Sequence, residues 1–178
     1  MKQPPELKTS HWFNTNEPLT LEKLRGRVVL IEAFQMLCPG CVSRGLPQAQ
    51  RVANTFSADD VAVIGLHTVF EHHAAQGSQE ALKAFLHEYR ITFPVAMDAA
   101  SDNGDLPQTM MAYGLQGTPS LLLFDREGAL RANRFGVEED LQLGAQIMAL
   151  VLERPGRVKG RLDDDSVSEN CDENGCRI

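Results

Sequence analysis

The sequence has no long hydrophobic run. None of its segments approaches the roughly 18 consecutive apolar residues that a membrane-spanning helix needs. The N-terminal stretch Met1 to Lys8 has two prolines and no apolar segment behind its lysine, so it lacks the features of a signal peptide or a membrane anchor. These absences predict no membrane partner. They also predict a cytoplasmic location if Met1 is the native start, although a truncated chain would give the same pattern.

The sequence also lacks a basic patch. Between Asp163 and Ile178 six acidic residues accompany a single arginine, so this segment carries −5 of the formal net charge of −7. Nucleic acid is bound through clustered lysines and arginines, and the sequence therefore predicts no nucleic-acid partner. Hydrophobic residues make up 43% of the chain, which is enough to build the core of one domain.

Cysteine is scarce, and the four that occur form two close pairs, Cys38 with Cys41 and Cys171 with Cys176. In a cytoplasmic protein, such pairs indicate catalysis or metal binding before structural disulfides. The first pair follows the apolar segment 28–34 and is separated by two residues. Two thiols at this spacing can close to a disulfide or open to a dithiol. The pattern favours redox chemistry over half a zinc site or an idle buried pair.

Strands alternate with helices along most of the chain and then give way to a hairpin and a last helix. The predicted strands are 12–14, 28–34, 61–67, 93–97, 120–125 and 129–135, and the predicted helices are 39–56, 78–89, 110–113 and 138–152. Pro47 is expected to kink the first helix. This order predicts an α/β fold with a central mixed β-sheet flanked by helices on both faces. A boundary at Pro155 divides domain 1–154, with its N-terminal arm 1–11, from the acidic tail 155–178.

The two thiols of the first pair are expected to have different roles. Cys38 stands at the start of a predicted helix, where free backbone N–H groups and the helix dipole favour a thiolate, so it is expected to attack. Cys41 lies one turn further and points back toward the protein, so it is expected to resolve the mixed disulfide. Pro39 suits the first helical position, where its missing N–H would be unpaired in any case.

A set of segments, taken together, resembles the TlpA-like and redoxin branch of the thioredoxin superfamily. The matching segments are, in order, 12–14, 19–30, the Cys38-Pro39-Gly40-Cys41 motif, 63–68, 93–95, 117–120 and 125–128. The resemblance extends over about residues 12 to 152. It implies a thioredoxin-like fold and a thiol–disulfide oxidoreductase without a cofactor. It also implies a disulfide-containing protein or small-thiol substrate and an upstream reductase as partners; the oligomeric state is left open.

The resemblance assigns roles to further residues. Thr118-Pro119 matches the cis-proline step of the family, which faces the two cysteines and offers backbone pairing to the substrate. Glu32 matches the acid that many thioredoxins bury beneath the disulfide. On a buried strand its pKa should be raised, and it would accept the proton of Cys41. The alternatives are an ordinary trans turn before a strand and an acid that reaches solvent at a strand edge.

Two positions depart from the family pattern. Leu37 stands where the family usually has Trp, so the apolar lip remains while its aromatic contact surface is lost. Phe34 is a candidate to supply part of that surface. The order Pro39-Gly40, instead of Gly-Pro, changes the environment of the first thiol, so the family's redox potential does not transfer. Leu37, Pro39, Gly40 and Thr118 are the predicted substrate-binding residues.

The second cysteine pair suggests a redox relay. The turn formers Asn174-Gly175 can bring Cys171 and Cys176 together. About 16 residues separate Pro155 from Cys171, and a flexible chain of that length spans on the order of 20–24 Å. The tail pair is thus a possible relay that exchanges disulfides with the first pair at high effective concentration. The alternatives are incidental thiols in an acidic tail or a metal site.

Three other function classes are weaker interpretations of the sequence. A peroxidase of the peroxiredoxin type requires Thr or Ser three residues before its cysteine and an earlier proline, but Gln35 and Ile31 occupy these positions. A metal-binding or delivery module could use the cysteines with His67 or His72-His73, but no acid or cysteine lies at ligand spacing beside those histidines. A non-catalytic binding domain is disfavoured by the presence of both thiols and Thr118-Pro119.

Overall fold

The second strand, β2 (Val28–Phe34), lies inside a six-stranded sheet and is buried at every position. A run of β-branched and aliphatic residues suits a strand that is covered on both faces. β2 pairs in parallel with β3 (Val61–His67) and antiparallel with β5 (Ser120–Phe124). The sheet is therefore mixed, which confirms the predicted architecture.

The computed structural model describes residues 3–101, 106–153, 171–172 and 175–176. The sheet has the strand order β1-β4-β3-β2-β5-β6. Its other strands are β1 (Thr9–Phe13), β4 (Val95–Asp98) and β6 (Leu130–Phe135). The helices are α1 (Leu46–Thr55), α2 (His73–Gln76), α3 (Gln79–Glu88), α4 (Gln108–Tyr113) and α5 (Asp140–Leu152). Among the described residues, no helix has the length and apolar character needed to cross a bilayer.

Each face of the sheet has its own hydrophobic core. On one face, alternate β2 residues pack with apolar residues of α1, α3 and α5. On the other face, the remaining β2 residues pack with α4 and with Leu21 and Leu24, which precede the strand. Because successive side chains of a strand point to opposite faces, Glu32 lies on the side of α1. The acid and the first helix are thereby held against each other.

The helix that follows Cys38 differs from the prediction. Instead of one kinked helix, a π segment (Cys41–Gly45) leads into α1, and the Leu46 N–H donates to the Cys41 carbonyl five residues earlier. Pro47 has no N–H to donate to Ser43, so the regular i→i−4 ladder cannot pass through this point. The defect falls in the first turn of α1, where it interrupts few bonds.

Three further segments refine the predicted elements. β1 begins at Thr9, so the end of the predicted N-terminal arm belongs to the sheet, where it pairs with β4. The short helix α2 lies in a segment predicted as a loop. In the tail, β7 (Cys171–Asp172) pairs antiparallel with β8 (Gly175–Cys176), and Cys171 is the register partner of Cys176. The predicted boundary at Pro155 lies outside the described residues.

Candidate active site

The two thiols of the first pair lie just beyond the carboxyl end of β2, where a turn leads into the helical segment. The Cys38 N–H donates to the Gln35 carbonyl at 3.2 Å and closes this turn. Cys38 is partly exposed, whereas Cys41 is completely buried. The Cys41 N–H donates to Cys38 Sγ at 3.3 Å. An incoming disulfide can therefore reach Cys38, whose sulfur accepts from the start of the helical segment.

The peptide bond between Thr118 and Pro119 is cis and faces the cysteine motif. Cys38 Sγ lies 3.5 Å from the Thr118 carbonyl oxygen. Pro119 is also close to the motif, because a Cβ built on Gly40 would lie 3.3 Å from Pro119 Cδ. The structure thus brings Cys38, Gly40, Thr118 and Pro119 together in one place. Pro39, at the first turn of the helical segment, is exposed.

Glu32 lies beneath the motif, only 2% exposed. Its Oε1 atom has no hydrogen-bond partner among the described residues. Burial, and then the nearby Cys38, raise the pKa of this carboxyl well above its usual value. A Cβ built on Gly45 would overlap Glu32 Oε1 and would lie 3.1 Å from Pro119 Cβ. The acid therefore occupies space that only a glycine at position 45 leaves open.

Burial sets the state of Cys41. Desolvation, assisted by the neighbouring Cys38, raises the pKa of the Cys41 thiol to about 12. At neutral pH Cys41 is consequently protonated, and it must lose a proton before it can attack a disulfide. A buried carboxylate close to the motif is the kind of group that can take this proton.

The apolar lip of the site differs from the expectation for Phe34. Leu37 is 55% exposed, as a lip residue must be, but Phe34 is completely buried and offers no contact surface. An exposed aromatic residue near the site is Phe135, at the end of β6 and 61% exposed. Its ring lies against Gly117, where a Cβ would come within 2.9 Å of Phe135 Cε2. Phe135 therefore lies next to the cis step.

Three residues near the site were missed from the sequence. Gly45 lies inside the predicted helix 39–56, and nothing in the sequence shows that it packs against Glu32. Phe135 was assigned only to a strand of the hairpin, although an aromatic residue at a strand end beside Gly136 was a usable signal. Gln76 lies between the predicted strand 61–67 and the predicted helix 78–89, and its burial depends on tertiary packing.

The histidines are not gathered into a metal site in the part of the chain that is described, where no three His, Cys, Asp or Glu side chains are grouped to hold a metal. His67 is 1% exposed and lines a cavity of about 420 Å³ with His73 and Asp98. Burial lowers the pKa of His67 to about 4. Both of its ring nitrogens lack a partner within the described residues. It is therefore a neutral imidazole at physiological pH.

The sequence model of the AhpC/TSA family matches residues 3–133. Among solved structures, a thioredoxin-like superfamily protein, SPOA0173, is 57% identical, with a TM-score of 0.83, and the match covers 85% of this chain and 97% of that one. A thiol-disulfide isomerase from Corynebacterium glutamicum is 46% identical, with a TM-score of 0.80 and coverage of 85% and 98%. Both alignments extend over nearly the whole of the solved chains.

A curated relative shows the same likeness within a much longer protein. Protein DipZ of Mycobacterium tuberculosis is 30% identical over 138 residues, which are 74% of this chain and 18% of DipZ. The chain thus spans less than a fifth of the length of that relative. The two solved structures share the thioredoxin-like fold of this chain, and one of them is described as a thiol-disulfide isomerase.

Proposed function

This chain belongs to the AhpC/TSA family of the thioredoxin superfamily, and from that premise we propose that it is a thiol–disulfide oxidoreductase in which Cys38 attacks and Cys41 resolves. One observation carries the proposal. Cys38 is partly exposed beside the Thr118 carbonyl, whereas Cys41 is buried directly behind it. This arrangement allows one thiol to meet a substrate and keeps the other for the second step.

In the first step, the Cys38 thiolate attacks one sulfur of the substrate disulfide. A bond forms between Cys38 Sγ and that sulfur, the substrate S–S bond breaks, and the other substrate sulfur leaves as a thiolate and takes a proton from solvent. Leu37, Pro39, Gly40 and Thr118 are proposed to contact the substrate chain. Their exposure or closeness to Cys38 supports this assignment.

In the second step, Glu32 accepts the proton of Cys41, and the Cys41 thiolate attacks Cys38 Sγ. The mixed disulfide breaks, a Cys38–Cys41 disulfide forms, and the second substrate sulfur leaves as a thiolate. Two electrons have then passed from the dithiol to the substrate. The raised pKa of both Glu32 and Cys41 supports this pairing, because a strongly basic carboxylate is needed to deprotonate a thiol of high pKa.

The Cys38–Cys41 disulfide must be reduced by two electrons before the next cycle. We therefore propose an upstream reductase as a partner that supplies these electrons. The substrate class is a disulfide-containing protein or a small disulfide. The cytoplasmic location that the sequence suggests stays a prediction, and it would favour net reduction because the glutathione pool there is reducing.

The tail pair is proposed as a relay between that reductase and the active site. The register partnership of Cys171 and Cys176 supports their acting as a pair. Replacing both by Ser should slow steady-state turnover and leave the first reaction of reduced Cys38 unchanged. Steady-state turnover equal to that of the unaltered chain would overturn the relay.

The main proposal is tested with a fluorescent peptide disulfide and a dithiol reductant. Cys38→Ser is expected to lower turnover to the background rate, because it removes the attacking sulfur. In the absence of the reductant, and with Ser also at positions 171 and 176, reduced Cys41→Ser is expected to release one thiol per enzyme and then to stall, because no thiol remains to resolve the mixed disulfide. Full turnover by Cys38→Ser would overturn the mechanism.

A further inference from the structure

Two buried glutamines hold the redox loop, defined as residues 35–38: one is the first residue of the loop and the other lies behind it. Gln35, at the end of β2, and Gln76, at the end of α2, are each 1% exposed. The burial of Gln76 is unusual for its segment, because residues 71–75 before it are all exposed. A side chain that is buried within an exposed segment must be held by specific contacts. The mechanism above uses neither glutamine.

The Gln76 amide bonds directly to the redox loop. Its Oε1 accepts from the Leu37 N–H at 3.1 Å. Its Nε2 donates to Gln35 Oε1 at 3.0 Å and to the Glu71 carbonyl at 2.9 Å. A backbone N–H can only donate, so the Gln76 oxygen must face Leu37 and the NH₂ group must face Gln35. The chemistry of the partners thus fixes the orientation of this amide.

The Gln35 amide completes the same network. Its Oε1 also accepts from the Phe70 N–H at 3.3 Å, and its Nε2 donates to Glu71 Oε1 at 3.3 Å. The backbone carbonyl of Gln35 accepts from the Cys38 N–H at 3.2 Å. The network therefore ties residues 70–76 to the loop that presents the attacking thiol. Gln35 also occupies the position where a peroxidase would need a hydroxyl group, and its amide is engaged elsewhere.

From this geometry we propose that Gln76 is a positioning residue for Cys38, acting through the Leu37 peptide. The proposal rests on the proposed function, because it names what aims the attacking thiol. Leu37 directly precedes Cys38 and turns its side chain outward, while its N–H is held inward by Gln76. Thiol–disulfide exchange requires the attacking sulfur to align with the bond it breaks. A small displacement of such an atom slows the reaction strongly.

A purely structural role for Gln76 is the alternative, and the chain offers a matched control. Gln48 on α1 is 3% exposed, and its Nε2 donates to the Glu138 carbonyl at 2.8 Å and to Asp140 Oδ1 at 2.7 Å. These bonds join α1 to the start of α5 and do not involve the redox loop. Gln48→Met thus removes a buried amide of the same kind away from the thiols.

The experiment compares Gln76→Met, Gln48→Met and the unaltered chain. Melting temperatures show whether each variant folds and how far each is weakened. The deciding measurement is the rate of alkylation of Cys38 by iodoacetamide as a function of pH, with Cys41→Ser in every chain so that a single thiol of the motif reacts. A second measurement is the kcat/KM for a peptide disulfide, with Cys41 present.

Gln76→Met is expected to move the alkylation profile to higher pH, because a loosened loop weakens the contact between the residue 41 N–H and Cys38 Sγ. It is also expected to lower kcat/KM by about tenfold. Gln48→Met should follow the unaltered chain in both. An alkylation profile of Gln76→Met that superposes on that of Gln48→Met overturns the proposal. If the unaltered chain turns over no disulfide, the proposed function fails, and the alkylation profile still decides the role of Gln76.

Discussion

At the scale of single residues, burial separates the roles of groups that are close together. Cys38 and Cys41 are three positions apart, yet one is partly exposed and the other is sealed from solvent. Glu32 is also sealed, and desolvation raises its pKa. A chain that buries an acid without a partner loses stability whenever the acid ionises. Ionised Glu32 therefore destabilises the fold, and a neutral side chain at position 32 should remove this destabilisation.

Glu32→Gln is predicted to stabilise the reduced protein at neutral and alkaline pH. The pKa of Glu32 is higher in the folded chain than the value of about 4.5 in the unfolded chain. The contribution of Glu32 to folding stability is therefore complete below pH 4.5 and is lost as the pH rises through the folded pKa. The stability of the variant should exceed that of the unaltered chain by a margin that grows from pH 5 to pH 8. Urea unfolding at several pH values measures this margin.

The same substitution should slow turnover by at least about tenfold, because it removes the group that accepts the Cys41 proton. The first attack by Cys38 should keep its rate, which single-turnover measurements resolve. If the free energies of unfolding of the two chains change with pH in parallel, ionisation of Glu32 does not destabilise the fold. That result would contradict this account of Glu32.

His67 is predicted to make the fold sensitive to mild acid. Its folded pKa of about 4 lies below the unfolded value of about 6.5, so the unfolded chain binds more protons between these values. Stability from this group is complete above pH 6.5 and falls by up to about 3 kcal/mol as pH drops to 4. His67→Phe should flatten that part of the curve. An unchanged slope between pH 6.5 and pH 4 would contradict the assignment.

At the scale of elements, the π segment between Cys41 and Gly45 gives the site its shape. It accommodates Pro47, which has no backbone N–H to donate, and it places Gly45 over Glu32. A side chain at position 45 would overlap the Glu32 carboxyl. A local departure from regular helix geometry at a functional site is a recurring use of π turns. The π segment thus includes both the buried Cys41 at its start and, at its end, the glycine that leaves room for Glu32.

Gly45→Ala is predicted to destabilise the protein and to slow the second step, because the new Cβ would overlap Glu32 Oε1. Gly144→Ala in α5 is the matched control, since a Cβ there meets nothing within 4 Å. In a helix interior, replacing Gly by Ala stabilises by roughly 0.5–1 kcal/mol, so the control should gain stability. Thermal unfolding separates the two outcomes. A gain in stability for Gly45→Ala would show that the carboxyl is not held where we describe it.

Phe135, at the end of β6, is exposed beside the cis step, and we expect it to contact a peptide substrate. Phe135→Ser should raise the KM for a peptide disulfide by about three- to tenfold and leave kcat unchanged, since an aromatic contact contributes about 0.5–1.5 kcal/mol. A small disulfide that does not reach Phe135 should show no change. Leu141→Ser, at a residue 89% exposed on α5, is the control. An equal KM change in both variants would contradict a specific contact.

The elements predictable from sequence were those with strong local patterns. β2 and β3 agree with the prediction residue for residue, because runs of buried β-branched residues leave little choice. The predicted helix 78–89 begins at Ser78, and the side chain of Ser78 caps α3 by accepting from the Ala81 N–H. The π segment and α2 were missed because their geometry depends on contacts across the sheet. The exposed aromatic residue of the site was misassigned to Phe34 for the same reason.

At the scale of the whole molecule, the mixed sheet collects the site from distant parts of the chain. The two thiols follow the carboxyl end of β2, and the cis step lies just before β5. The end of α2 contributes Gln76, which accepts a hydrogen bond from the Leu37 N–H. The antiparallel pairing of β2 with β5 sets Ala33 opposite Ser120, which brings Pro119 near the cysteine motif. The sequence resemblance predicted that the cysteine motif and the cis-proline step lie together. The hydrogen bonds of Gln35 and Gln76 behind them could be seen only in the structure.

The central claim is that one partly exposed sulfur attacks and its buried neighbour resolves, and trapping tests it most directly. The Cys41→Ser chain, with Ser also in place of the proposed relay thiols Cys171 and Cys176, is mixed in its reduced form with a peptide disulfide, quenched with acid, digested and mapped by mass spectrometry without reduction. The account predicts one peptide per chain, joined by a disulfide to Cys38. An adduct that forms as fast on Cys41 of the matching Cys38→Ser chain, or no adduct while Cys38 is reduced and the chain is folded, would contradict it.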